Sequence, residues 1–471
     1  MGSQTNDNTE QQPLPDAASA ALVLTHPTEG EMRQTWTLNH REWGGALSLE
    51  QYLRREPYLA AAPLARDGGM THWILTTSTD TTTADTAEPR PVLASCESIR
   101  KRVLVARPAA RRGVETEAES EVEIQDGVGY GVGSVYTYPE YRGRSYASRM
   151  LKELGVALRT LPSQQQPRRN EQGERAVVNG GGEEEGPAAE KEAACSALWS
   201  DLGKVFYAKK GWPPFPSAHA TFSAAAATTS TTPTASNGPQ HNGNGTTPLL
   251  PTEPITRENL ARFAAQDEAQ LRRRLARTAS RTRRPAFAFA PDEDTFLWHL
   301  ARETFISAQV FGNSSISNDN KNENGDKTEA VINGLAAGPE GRRVWAVWAR
   351  NYYAGPEEPG KNTLFILRLV VEGADEDREE LPPSNERRDE LRAAFAAVVG
   401  AARDVAARWG LARVDLWNPT PLVRGLLRDV AAEAPHDWVE RDMDSIPSLM
   451  WYGDEPEEDV EWVANEKYCW C

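Results

Sequence analysis

The chain has 471 residues, 52 of them Lys or Arg and 68 Asp or Glu, for a formal charge of −16. That length admits about two or three domains, and the acidic balance argues against general nucleic-acid binding while suiting a cationic substrate if the acids line a site. Four cysteines, Cys96, Cys195, Cys469 and Cys471, make neither a disulfide framework nor a zinc pattern, so no metal is expected. The paired thiols at the tail read as exposed. No signal peptide, Arg-rich transit peptide or long apolar span is visible, and a soluble cytoplasmic protein with no membrane partner is expected.

In chain order, residues 1–20 are polar and read as a disordered leader. Leu22–Leu24 is a short strand, and Thr28 can cap a helix over 29–42. A second helical stretch covers 47–55. His72–Thr76 reads as a strand. The next strand begins at 91–97 and resumes at 103–105, before a charged insertion at 107–120. The central unit is Gly131–Leu151. Val132–Thr137 alternates as a strand, Pro139 and Glu140 turn the chain, and a helix starts near Ser145 with Met150, Leu151, Leu154 and Leu158 on one face. Its junction, Arg142-Gly143-Arg144-Ser145-Tyr146-Ala147, combines small residues and arginines at a helix N-terminus, which suits phosphate.

Residues 162–193 are rich in Gln, Asn, Gly and Glu and read as a surface insertion. Beyond them, Cys195–Trp199 is a strand and Lys204–Lys210 a short helix closed by Gly211. Residues 218–254 read as a flexible linker and the domain boundary. A helix begins at Thr256, and its end, Arg272–Arg284, is strongly basic: a solvated helix end, or a nuclear-localisation or phosphate-contacting segment. Asp292–Val310 is helical. Then come strands at 343–348 and 364–370, a helix with Leu391, Phe395, Val398 and Ala402 on one face, a strand at 412–417 and a helix at 422–430. The Leu-Trp pair at 198–199 recurs at 416–417 and points to a degenerate repeat of the first layout.

Two segments carry a resemblance. Arg142-Gly-Arg-Ser-Tyr-Ala147 resembles the acyl-CoA pyrophosphate loop of the GNAT acetyltransferases, with Ser145 where that pattern has a glycine. Phe206-Tyr207-Ala-Lys-Lys-Gly211-Trp212 resembles the ending of that family's later helix, with Trp in place of Phe, Ser200 where the family has asparagine and Gly203 where it has alanine. The resemblance implies an α+β GNAT fold, a mixed, mainly antiparallel central sheet flanked by helices. Residues 21–217 would be the catalytic domain and 255–471 a degenerate GNAT-like C-terminal domain. That second half would not bind CoA, because its loop 372–380 is acidic where phosphate would sit.

More narrowly, the chain resembles the fungal lysine N6-acetyltransferases. Leu24-Thr-His-Pro-Thr28, Ala94-Ser-Cys-Glu97, Tyr141-Arg-Gly-Arg144, Leu198-Trp-Ser-Asp-Leu-Gly-Lys204 and Trp451-Tyr-Gly453 carry that likeness. It implies acetyl-CoA as co-substrate and free L-lysine as the small-molecule amine, giving N6-acetyl-L-lysine in lysine catabolism. By the same likeness, acetyl-CoA would be held by Val135, Thr137, Arg142, Gly143, Arg144, Ser145, Tyr146, Ala147 and Ser200. Tyr207 would be the general acid toward the leaving thiolate. His40, Trp43 and Tyr52 lie where the family builds an acceptor wall, although packing against the sheet would equally explain them. A base is needed because a lysine ε-amine has a reference pKa of about 10.4. Glu97 is the first choice, as base and amine anchor, with Glu121 and Glu123 as alternatives; an ion pair of Glu97 with Arg100 or Lys101 is the plain reading. Rival functions are a GNAT enzyme acting on a protein amine or polyamine, and a non-catalytic GNAT-fold adaptor.

Overall fold

The structure, a computed structural model, describes residues 14–78, 90–108, 122–161, 192–225, 250–312 and 331–470. Residues 1–13, the charged insertion around Glu121, residues 162–191 and 226–249, and Cys471 lie outside the described residues. The first half opens with β1 (Leu22–Thr25) and two helices, α1 (Glu29–Trp43) and α2 (Leu49–Ala60). Both helices start in reciprocal capping boxes: Thr28 with Glu31, and Ser48 with Gln51. Three antiparallel strands follow, β2 (Met70–Thr77), β3 (Ala94–Arg107) and β4 (Glu123–Thr137), and then α3 (Tyr146–Thr160) and β5 (Cys195–Ser200). The two short β-rich runs read at 91–97 and 103–105 are one strand, because Ser98 and Lys101 between them are buried rather than solvated.

The second half repeats this order. It runs β7 (Thr252–Ile255), α4 (Leu260–Thr282), β8 (Ala286–Phe289), α5 (Glu293–Phe311), β9 (Gly334–Ala337), β10 (Val344–Asn351), β11 (Thr363–Val371), α6 (Asn385–Arg408), β12 (Arg413–Trp417), α7 (Pro421–Asp429), β13 (Asp437–Glu440) and β14 (Ile446–Trp451). Each half thus contains a parallel pair, β4 with β5 and β11 with β12, whose strands part toward their C-terminal ends. The repeated Leu-Trp pairs close the equivalent strands β5 and β12. This is the expected α+β GNAT architecture with a second GNAT-like half.

The halves are not joined by a simple linker. The strand β6 (Ala218–Ser223) leaves the first half and pairs antiparallel with β12 in the second sheet. Reciprocally, β14 pairs antiparallel with β5 and becomes the last strand of the first sheet. The sheets run β1-β2-β3-β4-β5-β14 and β13-β6-β12-β11-β10-β9-β7. The linker expected over 218–254 and the boundary at 217 are therefore corrected: 218–223 and 252–255 are strands, and Ala220 and Phe222 are buried in the second core. Alanine and threonine richness reads as low complexity but serves an alternating strand here.

Three further expectations change. Residues 14–20 are ordered against α3: the Tyr146 hydroxyl donates to the Pro15 carbonyl (2.6 Å), and Arg149 donates to the Ala17 carbonyl (3.0 Å). The segment before Gly211 is turns and a 3₁₀ turn over Ala208–Lys210 rather than a helix over 204–210. The basic run Arg272–Arg284 is a solvated helix end in part, with Arg273, Arg277, Arg281, Arg283 and Arg284 exposed, but acids pair with it and it is not a free basic patch. Arg272 pairs with Asp126 (2.7 Å) and Glu268 (2.8 Å), Arg274 with Glu376 and Asp377, and Arg284 with Asp459 (3.1 Å).

Candidate active site

Where β4 and β5 part, a cavity of about 850 Å³ opens between them. A β-bulge creates it. Glu97 faces Gly133 while Ser95 faces Tyr136, so β4 carries one extra residue, and Ser134 takes a left-handed φ of 51°. Beyond the bulge, β4 no longer pairs with β5, and Ser134, Val135 and Thr137 line the opening. The Thr137 hydroxyl is buried there with no hydrogen-bond partner among the described residues.

The loop into α3 closes one end of this cavity. Arg142, Gly143, Ser145, Tyr146 and Ala147 line it, and no acidic residue stands in the first turn of α3. The amides of Tyr146, Ala147 and Ser148 are first-turn donors without intrahelical partners. Gly143 takes φ 78°, and no atom lies within 4 Å of where its Cβ would be. Ser145 takes φ 64° and makes no side-chain cap bond. It has adopted the backbone conformation that a glycine at this place would take. Arg142 folds back: its Nε donates to the Thr137 carbonyl (3.1 Å) and its guanidinium lies 5.5 Å from the Tyr136 ring. Arg144 is exposed at the loop's edge.

Tyr207 lies on the opposite wall with Phe206, Asp201 and Leu202, and is 7% exposed. Burial, with Asp201 and Cys96 adding to it, raises its phenol well above the ordinary range, so the hydroxyl keeps its proton. Ser200 does not join it. Its hydroxyl donates to the Gly203 carbonyl (2.7 Å) and accepts from the Leu202 amide (3.1 Å), which commits it to the turn after β5.

Glu97 lies behind the bulge. Its carboxylate accepts from the Ser134 hydroxyl (2.9 Å) and stands 3.3 Å from His72 Nδ1 on the neighbouring strand, where His72 and Glu97 are directly opposed. Burial pushes the Glu97 carboxyl up, but His72, Ser134 and Arg55 outweigh it and hold the group below its usual value. Burial pushes His72 down, but Glu97 outweighs it and holds the imidazole above its usual value. The expected partners Arg100 and Lys101 are not the ones Glu97 uses. Lys101 instead donates to the Cys469 carbonyl (2.7 Å). Glu123 lies at the far, exposed end of β4, opposite Arg107, and is removed from this centre.

Of the expected acceptor wall, Trp43 lines the cavity and packs edge-on against Tyr136. His40 does not reach the cavity: its Nε2 bonds the Leu47 carbonyl (2.9 Å) and fixes the turn between α1 and α2. Tyr52 is buried, with the Arg55 guanidinium 4.1 Å above its ring, and Arg55 pairs with the buried Glu56. A second cavity of about 460 Å³ between α1, α2 and β2 reaches His72 from the other side, past Trp36 and Met70.

Sequence reading missed His72, Ser134 and the contribution of the C-terminal tail. The register that sets His72 against Glu97 depends on tertiary pairing. The tail, residues 464–470, enters between the halves. Cys469 is fully buried rather than exposed, and Trp470 lines the active cavity. The equivalent opening in the second half is filled. Arg368 lies there, buried and held by Asp267 (2.9 Å) and by Glu466 of the tail, and the Leu369 amide donates to Glu466 (3.0 Å). The acidic loop after β11 is bound by Arg274 through Glu376 (2.9 Å) and Asp377 (2.8 Å).

Residues 232–471 match the family described as the LYC1 GNAT-like C-terminal domain. A curated lysine acetyltransferase of Yarrowia lipolytica is 26% identical over 190 residues, which span 40% of this chain and 39% of that protein. Similar solved structures include a GCN5-related N-acetyltransferase from Kribbella flavida, 13% identical with a TM-score of 0.40 over 91% of this chain and 70% of that one. Another is the Saccharomyces cerevisiae N-myristoyltransferase with bound myristoyl-CoA, 9% identical with a TM-score of 0.42 over 97% of this chain and 84% of that one. With half of its length matched, the chain belongs to the family of the LYC1 GNAT-like C-terminal domain.

Proposed function

We propose that the protein transfers the acetyl group of acetyl-CoA to the ε-amine of free L-lysine by direct attack in a ternary complex, giving N6-acetyl-L-lysine and CoA. The observation that carries this reading is the enclosed Glu97–His72 pair behind the bulge of β4, joined through the Ser134 hydroxyl to the cavity that a protonated Tyr207 lines. The name of the Yarrowia relative supports the choice of lysine.

In this reading the α3 amides and the loop from Arg142 to Ala147 hold the pyrophosphate, and the Thr137 hydroxyl and the free edge of β4 hold the pantetheine arm. Backbone amides of β4 beyond the bulge polarise the thioester carbonyl. The lysine ammonium enters toward Glu97, whose negative charge anchors it. Its proton passes to the Glu97–His72 pair, through the Ser134 hydroxyl or a water, and leaves from His72 into the second cavity. The neutral amine attacks the carbonyl carbon, the C–S bond breaks, Tyr207 gives its proton to the departing thiolate, and the second proton shed by the new amide nitrogen restores the Tyr207 phenol.

The test is product identification by mass spectrometry after incubation with acetyl-CoA and L-lysine. N6-acetyl-L-lysine is expected. Acetylation at the α-amine, or only of a polyamine or peptide amine offered in parallel, would replace the substrate.

A further inference from the structure

α5, in the second half, faces the first-half site, packing on α2. It carries Arg302, whose guanidinium lies 5.5 Å from the ring of the cavity-lining Trp470 and donates to Asn351 Oδ1. Among the described residues no carboxylate pairs with it, although 68 acids are present in the chain and the neighbouring arginines are nearly all matched. Arg350 has Glu303, Arg55 has Glu56, and Arg368 has Asp267 and Glu466. Arg302 is partly exposed and stands against Trp470, which lines the cavity.

A second cation adjoins it. Lys467, 2% exposed, is caged by Trp470 (3.8 Å), Trp417 (4.1 Å) and Phe365 (4.5 Å), and no acid pairs with it among the described residues. Burial, then Arg302 and Arg441, hold its pKa well below the ordinary lysine value. Enclosed cations held apart from carboxylates are costly unless an anion arrives to match them. Glu97 adjoins the same cavity through Ser134, which lines it and donates to the carboxylate (2.9 Å). Through Trp470 and Ser134 a positive end and a negative end flank one cavity. That is the charge pattern of an amino acid carrying a terminal amine.

We infer that Arg302, supported by Lys467, binds the α-carboxylate of the acceptor amino acid, while Glu97 takes its distal ammonium. The inference rests on the acetyltransfer reading above and adds the requirement for a carboxylate. It makes Arg302 the residue that separates free amino acids from polyamines and from lysines within a peptide, whose carboxyl is an amide.

The test compares L-lysine, 6-aminohexanoate and 1,5-diaminopentane as acceptors for the wild type, Arg302→Gln and Arg302→Lys. The wild type should prefer the two carboxylates over the diamine. Arg302→Gln should lower kcat/KM for L-lysine by at least about tenfold, chiefly through KM, and bring the preference ratio toward one. Arg302→Lys should recover part of the preference, and the acetyl-CoA Kd of both variants should match the wild type, which reports intact folding. An unchanged preference ratio in Arg302→Gln overturns the assignment. If the wild type acetylates none of the three, the acetyltransfer reading falls separately, and calorimetric titration with 6-aminohexanoate then decides the anion site. Binding weakened by Arg302→Gln keeps the site, and equal or absent binding in both proteins removes it.

Discussion

At the scale of single residues, the proposed chemistry rests on three groups: the Tyr207 hydroxyl, the Glu97 carboxylate and the His72 imidazole. Tyr207→Phe keeps the ring that packs against Phe206 and removes only the hydroxyl. It should lower kcat about 10²-fold with the acetyl-CoA Kd unchanged, measured by steady-state kinetics and titration. Unchanged turnover would take Tyr207 out of the reaction. Glu97→Gln tests the pair through pH. In the wild type, Glu97 holds the His72 pKa above its reference value against burial. Activity that needs unprotonated His72 should therefore rise with pH along a limb above about 6.5. With the carboxylate gone, burial is opposed only by Glu56, and the limb should move to lower pH while KM for the amine rises. A profile identical to wild type would exclude the pair. Ser145 offers a third test. A non-glycine residue in the left-handed region costs about 1–2 kcal/mol, so Ser145→Gly should raise Tm by a few degrees or tighten acetyl-CoA binding. A loss of both would mean that the serine hydroxyl is itself needed.

At the scale of elements, the two parting strand pairs have opposite fates. In the first half the opening remains a cavity, edged on β4 by Gly133, Ser134, Val135 and Thr137, and the Thr137 hydroxyl has no partner among the described residues. In the second half Glu466 occupies the Leu369 amide and Arg368 fills the space. Titration should accordingly find one equivalent of acetyl-CoA per chain, and two would contradict the sealed second site. The seal also has a pH signature. Burial pushes the Glu466 carboxyl up to about 7; Arg368 lowers it, and Glu376 and Asp267 raise it further. A carboxyl that titrates higher folded than unfolded binds its proton more tightly in the native state, so its contribution falls as pH rises from about 4.3, the unfolded value, to about 7. Glu466→Gln should flatten that part of the stability profile in thermal unfolding, and an unaltered slope would assign it elsewhere.

How far the sequence carried these elements follows from local physics. Capping boxes, the amphipathic face of α3 and the β-rich runs of β4, β10 and β11 are local signals, and those elements were legible. The loop before α3 and the Phe206-Tyr207 ending were legible through resemblance, and both line the cavity. The exchanged strand β6 was not, because its Ala and Thr residues merge in composition with the low-complexity stretch that follows. The placement of His72 opposite Glu97, the turn that consumes Ser200 and the inward path of Cys469 all depend on pairing between distant segments. No residue spacing reports those contacts.

At the scale of the whole molecule, the exchange of β6 and β14 makes each half complete only with the other. The largest core cluster joins β3, β5, α4, β8, β10, β11, β14 and the tail across both. Thermal unfolding should therefore show one cooperative transition, and residues 14–217 expressed alone should aggregate through the bare edge of β5. A soluble, acetyl-CoA-binding fragment would contradict that interdependence. The second half then has a definite part: it supplies β14, the α5 wall with Arg302, and the tail that carries Trp470 to the cavity. The most direct single measurement is the initial rate of CoA release at saturating acetyl-CoA, with L-lysine, a polyamine and a lysine-containing peptide as alternative acceptors. The account predicts saturable release with free L-lysine and little with the other two. Release with the peptide or polyamine in place of lysine, or none with any amine despite bound acetyl-CoA, would contradict it.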